Sequence, residues 1–202
     1  MARIPLIKRL YPLLAACLLA AGCSGYQPDY APASAMREVA PLTAEIAALS
    51  PQVDPEEAAR AARIALTYPL ELRQRYEVSD PPLVHNTKVN MGLRPRGLCK
   101  DWADDMEARL AAEGFRTLTL HRAIANADTA RIEHSTVIVS AMGEGPYEGL
   151  VLDPWRYGGD LHWGPVTADP DYRWLPRQAA FQARRERERA KEMMAIGTRK
   201  SL

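Results

Sequence analysis

Residues 97–110 read Gly-Leu-Cys-Lys-Asp-Trp-Ala-Asp-Asp-Met-Glu-Ala-Arg-Leu and contain both a helix and its starting point. The apolar residues of this stretch recur every four positions, which is the spacing of one face of an α-helix: Leu98, Trp102, Met106 and Leu110. Gly114 follows at a position suited to a C-terminal cap. The stretch therefore predicts an amphipathic helix that carries Cys99 in its first turn and packs on a second layer.

Three strand patterns follow this helix. Residues 115–121 alternate in strand fashion, residues 131–142 are rich in β-branched side chains, and residues 150–153 form a short apolar run that Pro154 ends. The two later segments are close enough to pair as an antiparallel hairpin. We therefore expect an α+β fold in which a central helix packs on an antiparallel sheet. We expect residues 155–176 to form an aromatic-lined loop region.

The segment before the central helix contains one clear helix signal. Asp54 can cap a helix that has Pro55 in its first turn and Glu57 as a capping-box partner. We expect this helix to bend or restart at Pro69 and to end near Val78. Residues after it, from 83 to 97, mix Asn, Gly and Pro with few periodic apolar side chains, and this predicts a long loop.

Length and charge restrict the class of protein. A chain of 202 residues suits one domain with ends that need not join its core. Residues 23–180 carry 16 basic and 22 acidic side chains, so we expect no nucleic-acid partner. The histidines and acids show no metal-ligand spacing, and there is no glycine-rich phosphate loop, so we expect no metal and no cofactor.

The N-terminus has the anatomy of a bacterial lipoprotein signal. Three basic residues precede an apolar run, and residues 19–23, Leu-Ala-Ala-Gly-Cys, resemble a lipobox. This resemblance implies a signal peptide over 1–22, cleavage before Cys23 and a diacylglycerol on its thiol. Ser24, which is not an aspartate, implies an outer-membrane location facing the periplasm. A simple secretory signal and an uncleaved anchor are the alternatives.

The remaining chain divides into three parts. Residues 23–53 are rich in proline and small residues, which favours a tether, although a short helix over 36–49 also fits the spacing of Val39, Leu42, Ile46 and Leu49. Residues 54–180 form the predicted domain. Residues 181–202 alternate basic and acidic side chains with little apolar stripe, which predicts a solvated helix or a disordered tail.

Cys99, His134 and Asp153 together have the residue types of a thiol-dependent active site. A helix N-terminus favours a thiolate over a thiol, an imidazole can take the thiol proton, and a carboxylate behind the imidazole fixes its tautomer. Taken singly, each residue also has an ordinary structural role, as a buried thiol, a core histidine or a turn opener. Their order and local context favour the catalytic interpretation. Alternation along the strand places His134 on the same face as Ile138.

These residues resemble the transglutaminase-like superfamily of papain-related cysteine enzymes. Gly97-Leu98-Cys99, His134 and Asp153-Pro154 match that family's motifs within residues 83–156. The resemblance implies a Cys-His-Asp triad and an upstream polar side chain in the oxyanion hole, for which Asn90 and Asn86 are candidates. The sequence departs from the family after the histidine, where Ser135 and Thr136 replace the usual aromatic. Trp155 is a candidate for the substrate cleft, and Trp102, one helical turn from Cys99, is a candidate either for the core or for the cleft.

These patterns predict a membrane-anchored, cysteine-dependent amide or peptide hydrolase or acyltransferase. Its substrate would be a peptide or protein of the cell envelope, such as cell-wall peptide, and its membrane contact would be the N-terminal lipid. A non-catalytic module that binds a peptide or protein, with a residual triad, is the main alternative. A structural lipoprotein whose tail contacts other envelope components is a third.

Overall fold

The computed structural model describes residues 32–200, with side chains from 34 to 195. The predicted signal peptide and Cys23 lie outside the described residues. Within the described range, the chain forms five α-helices, five strands and two short 3₁₀ turns. The predicted α+β class is confirmed. The helices are α1 (Pro32–Ala48), α2 (Pro55–Arg75), α3 (Pro82–Asn90), α4 (Cys99–Ala111) and α5 (Arg177–Lys200). The strands are β1 (Leu118–Ala125), β2 (His134–Ala141), β3 (Leu150–Tyr157), β4 (Asp160–Pro165) and β5 (Trp174–Pro176).

All five strands belong to one antiparallel sheet of order β4-β3-β2-β1-β5. The central strand β2 is buried along its whole length, so both faces of the sheet are covered. On one face, Val137 and Val139 pack with Met106 and Leu110 of α4. The opposite face holds a separate cluster that includes Ile138, Val151 and Trp174.

The N-terminal helix α1 belongs to the folded body. Its Leu42 and Ile46 are fully buried in the same cluster as α2 and the α4 face of the sheet. The fold therefore begins before residue 54, and the tether predicted over 23–53 does not extend through residues 32–48. Of the two structures predicted for this segment, a tether and a short helix, the helix is the one that forms over residues 32–48, because its apolar spacing buries one face of α1.

Two segments predicted as loops contain regular structure. Within 83–97, the chain forms α3, which begins after Pro81 and buries only His85, so its sequence carries no apolar period. Within 155–176, the chain completes β3 and forms β4 and β5. The first strand also begins later than expected, at Leu118.

The C-terminal segment is helical as far as Lys200. Ala180 of α5 is buried against Ile124, whereas most later side chains of this helix are exposed. Of the two alternatives for the tail, the helix is the one that forms. Across residues 32–200, no helix combines the length and the apolar character needed to cross a bilayer.

A buried carboxylate joins α2 to the start of β1. Glu57 accepts hydrogen bonds from the backbone N–H groups of Arg116 and Thr117 and from the Thr117 hydroxyl, at 2.6 to 3.1 Å. Burial alone would raise the pKa of Glu57, but these hydrogen bonds outweigh it and lower that pKa below its ordinary value of 4.5. The N–H groups that Glu57 occupies lie immediately before β1 and are not available for sheet pairing.

We expect Glu57→Gln to lower the free energy of unfolding by about 1–3 kcal/mol at pH 7, because it weakens three buried hydrogen bonds. Glu56→Gln is the matched control, since Glu56 is an exposed acid in the same first turn. A carboxylate whose pKa is lower in the folded protein than in the unfolded chain stabilises the fold above its ordinary pKa. This stabilisation is lost as the pH falls through the pKa of the folded state. The difference between wild type and Glu57→Gln, measured by urea unfolding, should therefore narrow below pH 4.5. Equal free energies of unfolding for Glu57→Gln and Glu56→Gln at pH 7 would contradict the structural role of Glu57.

Candidate active site

Cys99 is the first residue of α4. Gly97, two positions earlier, lets the chain pass close to His85 just before this helix begins. Gly97 has a φ of +124°, and a Cβ at this position would lie 2.4 Å from Nε2 of His85. His85 is buried, and its Nε2 is 2.9 Å from the Arg96 carbonyl oxygen. Gly97 therefore allows a close contact with α3, and a larger residue would displace the segment that carries the thiol.

Hydrogen bonds from α4 also hold the segment before Cys99. The Asp101 carboxylate accepts from the N–H groups of Gly97 and Leu98 at 3.1 and 3.0 Å. The Trp102 indole N–H donates to the Gly97 carbonyl at 3.0 Å, and its ring packs edge-on against Tyr76. Trp102 is fully buried in this cluster and does not line the cavity beside Cys99. Of the two roles open to Trp102, the core is the one it takes, because its face of the helix is directed toward α2.

His134 and Asp153 form a buried pair on neighbouring strands. His134 is the first residue of β2, and its Nε2 lies 2.7 Å from Oδ2 of Asp153 on β3. Asp153 also accepts from the Arg156 guanidinium at 3.0 Å and from the backbone N–H groups of Trp155 and Arg156 at 3.2 and 3.3 Å. The carboxylate is completely buried, so these donors replace its hydration.

The pair favours a protonated imidazole. Burial lowers the pKa of His134, but the charge and hydrogen bond of Asp153 and the interaction with the Cys99 thiol outweigh it and raise that pKa to about 9. Burial raises the pKa of Asp153, and His134 and Arg156 overcome this and hold it below its ordinary value. At neutral pH the site therefore holds an imidazolium against a carboxylate.

The thiol meets the imidazole at the end of the sheet. Cys99 is half-buried, and its Sγ lies 3.6 Å from the Glu133 carbonyl oxygen, one residue before His134. Since Nε2 of His134 bonds Asp153, Nδ1 is the nitrogen available to the thiol; it is buried and has no hydrogen-bond partner among the described residues. His134 shares the sheet face of Ile138 as expected, opposite the face that the body of α4 covers. Contact is made because Cys99 lies in the first turn of α4.

Three aromatic rings surround the imidazole. Trp155, Tyr172 and Trp174 have ring centroids 4.6, 4.7 and 5.2 Å from that of His134. These rings exclude water from His134 and fix the plane of its ring. Trp155, predicted for the substrate cleft, instead covers His134, and its indole N–H donates to Asn86 Oδ1 at 3.1 Å.

Arg156, which holds Asp153, and its partner Asp169 were not predicted from the sequence. Arg156 joins Asp153 to Asp169 and Asp171, at 2.6 to 3.1 Å, and its guanidinium lies over the Tyr172 ring. Burial raises the pKa of Asp169, but hydrogen bonds from Arg156 and the Trp174 indole lower it to about 2. The sequence contains an arginine three positions after Asp153, but no local sequence pattern predicts that this arginine pairs with Asp169.

A cavity of about 450 Å³ opens in front of the thiol. It lies between the first turn of α4, the adjoining ends of β1 and β2, and α5. Cys99 and His134 line it, and so do both oxyanion candidates, Asn86 and Asn90. Asn86 is half-buried, whereas Asn90 is exposed. A carbonyl group in this cavity could meet the thiol, the imidazole and an amide donor together.

A second buried cation connects the strands of the site to α4. Arg122 of β1 donates to Asp104 and Glu107 on α4 and, at 2.9 Å, to the Ser135 hydroxyl next to His134. Its side chain is only 5% exposed. Ser135, one of the two residues that depart from the family pattern after the histidine, therefore holds the arginine that joins β2 to the helix of Cys99.

The described residues, 32–200, contain no group of three or more His, Cys, Asp or Glu side chains arranged to hold a metal ion. Comparison of the chain with protein-family models, curated proteins and solved structures finds no match. The interpretation of the site therefore rests on the geometry of Cys99, His134 and Asp153.

Proposed function

We propose that the protein is a cysteine-dependent amide or peptide hydrolase or acyltransferase with a transglutaminase-like core. One observation carries the proposal: a helix N-terminal thiol adjoins a buried imidazole that bonds a buried carboxylate, and this group opens on a cavity. Burying an imidazole and a carboxylate together is costly unless they compensate each other, and such groups cluster at catalytic sites.

In the proposed reaction, the proton of Cys99 already lies on Nδ1 of the His134 imidazolium, and the thiolate attacks the carbonyl carbon of an amide. The carbon–nitrogen bond then breaks, and the leaving amine takes the proton from His134. The acyl group remains on Sγ as a thioester. Attack by water releases an acid, and attack by a second amine forms a new amide, so hydrolysis and acyl transfer share the first half of the reaction.

Asp153 determines which imidazole nitrogen serves the thiol. Because Nε2–H donates to its carboxylate, Nδ1 is left for Cys99, and the negative charge stabilises the imidazolium that forms. Arg156 and two backbone N–H groups keep this carboxylate ionised and oriented. Asp153 thus acts as a positioning residue and need not exchange a proton with the substrate.

The structure favours Asn86 over Asn90 as the oxyanion donor. The Trp155 indole donates to Asn86 Oδ1, which orients the amide and leaves its NH₂ group to donate elsewhere. Asn86 lines the cavity together with Cys99. An amide donor that is already oriented needs no reorganisation as negative charge develops in the transition state, and this preorganisation makes an oxyanion donor effective.

Cys99 should react with iodoacetamide at pH 6 at least about tenfold faster than free cysteine, because a thiol beside an imidazolium at a helix N-terminus is activated as a nucleophile. Asp153→Asn should slow this reaction about tenfold at pH 6, since it removes the charge that raises the pKa of His134. Asp171→Asn is the matched control: it removes an exposed carboxylate that also pairs with Arg156 but does not contact His134. Rates are measured by mass spectrometry of the alkylated Cys99 peptide.

A Cys99 that reacts like free cysteine from pH 5 to 8 would refute the enzyme proposal and favour a non-catalytic peptide-binding module. Equal rates for the Asp153 and Asp171 variants would also contradict the role given to Asp153.

Asn86→Ala should lower kcat about 10²- to 10³-fold on an amide substrate, which is the range for loss of one oxyanion donor. Asn90→Ala should change kcat by less than about threefold, because Asn90 is exposed and has no orienting partner like Trp155. Thiol alkylation by iodoacetamide should be similar in both variants, since it forms no oxyanion. The reverse order of kcat losses would assign the oxyanion role to Asn90.

We also propose that Cys23 carries a lipid that anchors the protein in the cell envelope, where the substrate would be an envelope protein or cell-wall peptide. The lipobox-like residues 19–23 support this anchor. A fatty-acid probe should label the wild type and leave Cys23→Ala unlabelled, whereas Cys99→Ala should be labelled like the wild type. Labelling of Cys23→Ala at the wild-type level would refute the anchor.

A further inference from the structure

The charges around the cavity are unequal in number. Four cations line it, from α4, β1 and α5, namely Lys100, Arg122, Arg177 and Arg184. Only two acids do so, Asp104 and Glu133. The excess of positive charge adjoins Cys99, so it acts on any group that enters the cavity.

Both acids are already engaged by two of these cations. Asp104 pairs with Arg122, which is also bonded to Glu107 and Ser135. Glu133 pairs with the guanidinium of Arg184. These pairs neutralise the acidic side chains that line the cavity and leave them little attraction for a cationic ligand.

Lys100 and Arg177 are the cations that remain. Both side chains are exposed, and neither side chain makes a hydrogen bond or an ion pair within the described part of the chain. Lys100 follows Cys99 directly, and Arg177 begins α5 at another wall of the cavity. A pair of uncompensated cations favours an anionic ligand and disfavours a cationic one.

The cavity also offers apolar surface. Ile124, Ile132 and Phe181 line it, and the last two are exposed large apolar side chains. Ile132 lies beside the loop that leads to His134, and Phe181 lies on α5. This surface suits an aliphatic side chain near the amide that Cys99 would attack.

We propose that the cavity selects an acidic peptide, in which a carboxylate faces Lys100 and Arg177 and an aliphatic side chain contacts Ile124, Ile132 and Phe181. This inference rests on the proposed function and specifies its substrate class. Lys100 and Arg177 are then specificity-determining residues.

The test uses blocked pentapeptides of sequence acetyl-Ala-Ala-Leu-Ala-Ala-amide in which one Ala at a time is replaced by Glu, Gln or Lys. The measured quantity is the peptide concentration that halves the rate of Cys99 alkylation by iodoacetamide. At the best position, the Glu peptide should protect at a concentration about five- to tenfold lower than the Gln peptide, and the Lys peptide should protect least. A second series with a free C-terminus separates recognition of an acidic side chain from recognition of a terminal carboxylate.

Lys100→Glu and Arg177→Glu should each abolish or reverse the preference for Glu over Gln. Arg189→Glu is the matched control. It reverses an exposed charge on α5, the helix of Arg177, outside the cavity lining, and it should retain the preference for Glu over Gln. Comparing Glu with Gln within each variant cancels any change in thiol reactivity. Raising the salt concentration should reduce the preference, since the cations are exposed.

Equal protection by Glu and Gln at every position, protection by none of the peptides, or strongest protection by Lys would overturn the substrate class. The unprotected alkylation rate at pH 6 is obtained in the same experiment and tests the proposed function separately. A fast-reacting Cys99 without a carboxylate preference would leave the enzyme proposal intact and refute this inference alone.

Discussion

The Asp153 carboxylate is the charge around which the site is arranged. It is 0% exposed, and a buried carboxylate is tolerated only when donors replace the water it has lost. His134 and Arg156 supply two donors, and the backbone after Asp153 supplies two more. The pairing of β3 with β4 becomes irregular between Asp153 and Tyr157. This irregularity allows the N–H groups of consecutive residues to point at one carboxylate oxygen.

The same charge connects the site to the loop before β5. The Arg156 guanidinium forms ion pairs with both Asp153 and Asp169, and Asp169 also accepts a hydrogen bond from the Trp174 indole N–H. Trp174 and Tyr172 then cover the imidazole of His134. Replacing Asp169 is therefore expected to alter both the charge near His134, through Arg156, and the packing of Trp174 on the imidazole. The network contains acids and cations in close to equal number, which is how a buried ionic cluster remains stable.

Local sequence patterns were sufficient for the helix of Cys99, the strand of His134 and the α+β class, because each depends on apolar periodicity or on residues close in the chain. They were insufficient for α3, which buries only His85 and therefore shows no period. The role of Trp102 stayed open in the sequence because a residue one helical turn from Cys99 can face either the cavity or the core, and tertiary packing against Tyr76 decides for the core. Arg156 with Asp169 was missed because ion pairs across loops leave no periodic signal.

The central claim is that His134 is a buried imidazolium held between Asp153 and the Cys99 thiol. Its most direct test is an NMR titration of the His134 ring nitrogens in wild type, Cys99→Ala and Asp153→Asn. The account predicts that the coupled site of the wild type stays protonated at His134 up to about pH 9, and that both substitutions lower this midpoint. A His134 ring that titrates near its ordinary value of 6.5 in all three proteins would contradict the account.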